Sequence, residues 1–104
     1  MLPAIAEKSA DLAALCRHYG VARLDVFGSA ARVSDFDEAA SDIDFLVELE
    51  PSADTLSRFL SLHTALEHLL HRRVDLQSRH AVEMSRNYIR RRHILEGARP
   101  VYAA

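Results

Sequence analysis

The side chains with the most chemistry in them are carboxylates, and they cluster. The stretch SDFDEAASDIDFLVELE, residues 34–50, holds two Asp-x-Asp pairs, Asp35/Asp37 and Asp42/Asp44. In an extended strand, residues two apart point the same way. Ile43, Phe45, Val47 and Leu49 then share a core face, and Asp42, Asp44, Leu46 and Glu48 share the other. Aspartate is a poor strand residue, yet two of them open this strand on one face. Their α-carbons lie about 6.6 Å apart at the rise of a strand. Carboxylates about 5 Å apart repel by about 3 kcal/mol at an effective dielectric of 20. Water relieves that repulsion if the face is simply the wet side of an amphipathic strand. In a cleft, a hard divalent cation such as Mg²⁺ relieves it. Asp75, between Val74 and Leu76 of another short strand, faces away from the core in the same way. If the two strands are neighbours, three carboxylates meet, enough to hold two metal ions for in-line displacement. Asp35 and Asp37 lack the apolar alternation that would fix them on a rigid face, and read as loop solvation or turn capping.

The elements that must position these groups follow from periodicity. Residues 2–18 carry a helical pattern through Ile5, Leu12, Leu15 and Cys16, ended by Gly20 as a C′ residue. Residues 21–28 (VARLDVFG) alternate as a strand. Gly28-Ser29 breaks that strand, and SAAR begins a short helix with Ser29 at or near its N-cap. Residues 33–41 read as a polar loop and 42–49 as the second strand. Residues 53–72 form the clearest helix, with a wide stripe of Leu56, Phe59, Leu60, Leu62, Leu66, Leu69 and Leu70. A short strand over 73–77 and an arginine-rich helix over 84–96 follow, and RPVYA adds an edge strand. This order predicts a small α/β (α+β) domain: one mixed sheet flanked by helices, filling residues 1–104.

Composition bounds the function. The chain has 104 residues, one cysteine and a formal net charge of −2, and 49% of its residues are hydrophobic. That predicts one folded domain rather than a disordered chain. The charge argues against a general nucleic-acid coat protein. A single cysteine excludes an internal disulfide and fits a cytoplasmic setting, with Cys16 as a small core residue. There is no signal-peptide pattern and no apolar run long enough to span a membrane. His63, His68 and His71 lack converging zinc-ligand spacing and read as solvated or partner-facing. The basic run Arg90-Arg91-Arg92 is either a solvated helix face or an attractor for ATP phosphates, RNA or an acidic partner.

Gly28-Ser29 between strand and helix suits phosphate, because glycine admits a close approach and helix-start amides favour anions. Taken together, Gly28-Ser29-x-x-Arg32, Ser41-Asp42-x-Asp44-Phe45-Leu46-Val47 and Val74-Asp75-Leu76 resemble the polymerase-β-like nucleotidyltransferase superfamily. By size the chain is similar to its minimal nucleotidyltransferase (MNT) family. The resemblance covers nearly the whole chain and implies that family's fold, a small mixed sheet flanked by helices. It implies an antitoxin that transfers AMP from ATP onto a tyrosine hydroxyl of a HEPN-type toxin. The alternative is a non-catalytic antitoxin that blocks its partner sterically. By the same resemblance, Asp42, Asp44 and Asp75 would hold two Mg²⁺ ions, with Asp75 helping to activate the acceptor. Gly28, Ser29 and Ser41 would bind the nucleotide; Arg32 would support phosphate binding or pair with loop carboxylates. Two features depart from the usual family pattern: a twelve-residue spacing from Ala30 to Ser41, and Val33 where glycine often follows the arginine. A domain this short implies a partner that supplies part of the site, and leaves a homo- or hetero-oligomer open.

Overall fold

Alternation of apolar side chains decides the sheet. The computed structural model describes residues 2–32 and 42–104, without the side chain of Arg32. β1 (Val21–Phe27) pairs antiparallel with β2 (Ile43–Leu49), which pairs parallel with β3 (Val74–Ser78). β4 (Arg99–Ala103) pairs antiparallel with β1, giving the order β3-β2-β1-β4. The mixed sheet is as expected, and the edge strand at residues 99–103 is present.

Helices cover both faces unequally. Leu24, Val26, Ile43, Phe45, Val47, Val74 and Leu76 turn to one face and form the main core with Ile5, Leu12, Cys16, Leu62 and Leu66. The latter come from α1 (Pro3–Glu7), α2 (Ser9–His18) and α4 (Thr55–Leu70). On the other face Phe27 and Leu46 pack with Val82 of α5 (Arg79–Glu83) and Ile94 of α6 (Tyr88–Gly97). That face, which alternation left as either a wet side or a cleft, carries a small second core.

Three features differ from the sequence reading, each for a local reason. The helix expected over 2–18 is two helices meeting at Lys8. A continuous helix would have placed Lys8 on the stripe that joins Ile5 to Leu12. The helix expected over 84–96 starts only at Tyr88, and a short helix over 79–83 that the sequence reading lacked precedes it, because two side chains cap separate starts. Ser78 Oγ accepts from the Ala81 amide at 3.3 Å, and Asn87 Oδ1 accepts from the Arg90 amide at 3.1 Å. The leucine stripe of α4 is wider than the face it buries: Leu62 and Leu66 are covered, while Leu56 is 72% exposed. Among the described residues no helix is long and apolar enough to cross a membrane.

Candidate active site at the β2–β3 edge

β1 ends at Phe27 because Gly28 takes a left-handed conformation, φ +69°. α3 (Ser29–Arg32) starts immediately after it. Phe27 stands opposite Asp44 in the β1–β2 register, so this turn lies beside the carboxylate strand. The approach is close: a Cβ on Gly28 would sit 2.5 Å from Asp44 Oδ2. Glycine is required here twice over, by its backbone angle and by its neighbour.

The parallel pairing of β2 and β3 sets Asp44 directly opposite Asp75. Neighbouring strands lie about 4.8 Å apart, so these two carboxylates are adjacent on one face. Asp42 precedes β2 by one residue and Asp44 by two. Two polar partners hold the outer carboxylates. Arg73 Nε is 3.2 Å from Asp42 Oδ1, and Gln77 Nε2 donates to Asp75 Oδ1 at 2.8 Å. With Asp42 and Asp75 engaged in this way, no three acidic, histidine or cysteine side chains converge on a metal position among the described residues. The donor set nonetheless fits a hard divalent ion. All three groups are carboxylates, two are register partners, and Asp42 and Asp75 are open to solvent.

The remaining predicted site residues divide. Gly28 and Ser29 lie at the site as described. The backbone of Arg32 closes α3, while its side chain, Ser41 and the Asp35/Asp37 pair lie outside the described residues.

Three further residues were not singled out by sequence or were read differently. His63, expected to be solvated or partner-facing, lies half-exposed with Nε2 2.7 Å from the Val74 carbonyl, to which its N–H donates. Glu67 accepts the Val74 amide at 2.9 Å. α4 thus grips both polar backbone groups of the residue preceding Asp75. Asp25 is wholly buried in β1, with Arg23 Nε 2.9 Å from Oδ1 and Arg79 Nη2 2.6 Å from Oδ2. In sequence, Asp25 alternates onto a face that looked wet. Its only cue was that a solvated aspartate is unusual in mid-strand.

Comparison with known proteins gives the family and the fold. A family model described as a nucleotidyltransferase domain matches residues 12–99. A solved minimal nucleotidyltransferase is 34% identical, with a TM-score of 0.75 over 96% of each chain. A toxin–antitoxin complex with AMP-PNP has 17% identity and a TM-score of 0.65, over 92% of this chain and 73% of that one. A tri-AMPylated Shewanella oneidensis HEPN toxin in complex with its MNT antitoxin has 16% identity and a TM-score of 0.62, over 96% and 73%. At those identities the two complexes share the fold alone. No protein of curated function matches the chain. With the family model spanning most of its length and a minimal relative alike from end to end, this chain belongs to the nucleotidyltransferase domain family, among its minimal members.

Proposed function

We propose that the chain is a metal-dependent nucleotidyltransferase that moves AMP from ATP onto a hydroxyl of a HEPN-type toxin, that of a tyrosine, and so acts as its antitoxin in the cytoplasm. The observation that carries this reading is the register that pairs Asp44 with Asp75 while Gly28 abuts the Asp44 carboxylate. A turn suited to phosphate and a row of carboxylates then share one end of the sheet.

Asp42, Asp44 and Asp75 would hold two Mg²⁺ ions, which when bound offset triphosphate charge and polarise the phosphoryl oxygens. Gly28 lets the phosphates approach the backbone, and the Ser29 hydroxyl donates to them. By the family resemblance Ser41 would also bind the nucleotide, and Arg32 would support the phosphates or pair with loop carboxylates. Asp75, on the exposed edge strand, accepts the proton of the attacking hydroxyl. The hydroxyl oxygen bonds to the α-phosphorus, the bond to the bridging oxygen breaks, and pyrophosphate leaves. Positioning of the acceptor supplies much of the rate. The solved complexes of the same fold, one with AMP-PNP and one with an AMPylated HEPN toxin, support ATP as donor and that class of acceptor.

The test is incubation with labelled ATP, Mg²⁺ and the protein of the neighbouring gene. AMP transfer is expected, and Asp42→Asn or Asp44→Asn should reduce it by roughly 100-fold or more. Toxin neutralisation that survives both substitutions with no transfer would instead establish a steric antitoxin.

A further inference from the structure

Among the described residues no other charged side chain is as completely buried as Asp25, at 0% exposure. It sits in mid-β1 opposite Leu46, one step along the same face from the row of Phe27, Asp44 and Asp75. Its two oxygens have different partners. Oδ1 takes the Arg23 guanidinium at 2.9 Å, from the same strand and a half-exposed side chain. The hydrogen bond to Asp25 holds the Arg23 pKa above its ordinary value. Oδ2 takes Arg79 at 2.6 Å, from a side chain only 14% exposed.

Arg79 is the first residue after β3, so its side chain spans β2 to reach the middle of β1. An ion pair is not needed to fill this space. An apolar side chain at position 25 would suit the layer of Phe27, Leu46, Val82 and Ile94, and buried pairs often stabilise no more than apolar replacements do. What the pair adds is a fixed direction between two strands that are not hydrogen-bonded neighbours.

β3 needs such a fixture, because it is an edge strand with one neighbour. Its start is already held by His63 and Glu67 at Val74. Its end is held by Arg79 on Asp25. Asp75 lies between the two holds.

We infer that the Asp25–Arg79 pair is a positioning device that fixes the end of β3, and with it Asp75, relative to Asp44 and the Gly28–Ser29 turn. The part concerning metal binding rests on the function proposed above; the part concerning β3 does not.

Residue-resolved amide exchange and Mn²⁺ titration calorimetry test it on the wild type, Arg23→Gln, and the double variant Asp25→Leu/Arg79→Met, which fills the layer with apolar groups. The double variant should melt near the wild type, yet its β3 amides should exchange about tenfold faster. It should also bind Mn²⁺ about tenfold more weakly. Arg23→Gln should leave both quantities unchanged. A folded double variant with wild-type β3 protection and Mn²⁺ affinity would overturn the inference. Should the double variant not fold, Arg79→Lys decides, because it keeps the charge but shortens the reach. Faster exchange confined to β3 supports a positioning role, and uniform acceleration across β1, β2 and β3 reduces the pair to general stability. Wild-type protein that binds no Mn²⁺, or binding that survives Asp44→Asn, sinks the metal reading, while the exchange measurement still decides the fixture.

Discussion

At Gly28 one added methyl group meets two separate obstacles. The backbone angle of +69° costs a non-glycine residue about 1–2 kcal/mol. The new Cβ would also press on Asp44 Oδ2, the mobile end of a side chain. Rotation of that carboxylate relieves the clash, so the second cost falls on the site rather than on folding. Gly28→Ala should therefore lose about 1–2 kcal/mol in urea denaturation but lose proportionally more nucleotidyl transfer. Cys16 gives a pH prediction. Burial pushes its thiol from 9.0 up to about 11, so the folded state favours the neutral form. A folded pKa raised above the unfolded one contributes stability below pH 9 that is lost as pH rises towards 11. The loss is on the order of 2 kcal/mol, and it should appear in melts of the wild type and be absent from Cys16→Ala. Asp42, Asp44 and Asp75 were legible in the sequence because period-two alternation assigns a face without knowledge of the neighbours. Asp25 obeyed the same alternation and was missed. Its burial is made by α5 and α6, and by an arginine 54 residues away.

Helices set how far the apolar stripe can be trusted. Leu66 and Leu56 look equivalent in the α4 repeat, but one is fully buried and the other 72% exposed. Leu66→Ala should cost about 2–5 kcal/mol, and Leu56→Ala no more than about 0.5 kcal/mol, measured as shifts in denaturation midpoint. The sheet strands and α4 were read from sequence to within about two residues, since each has a strong period or a clear stop such as Gly28 or Pro51. The break at Lys8, the short α5 and the late start of α6 were not. There a charge on the stripe ends one helix and capping side chains start the others, and such local bonds leave little trace in hydrophobicity.

The whole molecule is asymmetric about its sheet. One face carries the large core under α1, α2 and α4, and the other a four-residue cluster beneath α5 and α6. Ile94→Ala removes the buried α6 side chain from that small cluster and leaves Leu95 as its partly buried contact. It should free α6 locally at a cost of about 2–4 kcal/mol, with faster amide exchange over residues 88–97 while β1 and β2 stay protected. The mixed sheet was predictable from element order. The second core was not, because it forms only once two short, weakly amphipathic helices fold onto a face that alternation marks as polar. The parallel pairing of β2 with β3 also has a consequence in time. β1 and β2 pair antiparallel, but β3 can join β2 only after the chain has crossed back through α4. Such non-local closure is slow compared with local contacts. During refolding the glycine turn can meet Asp44 before Asp75 arrives, so the three-carboxylate row is assembled by a tertiary event. Completion of that row is then limited by the β2–β3 closure, and a chain halted before it holds the glycine turn and Asp44 without Asp75.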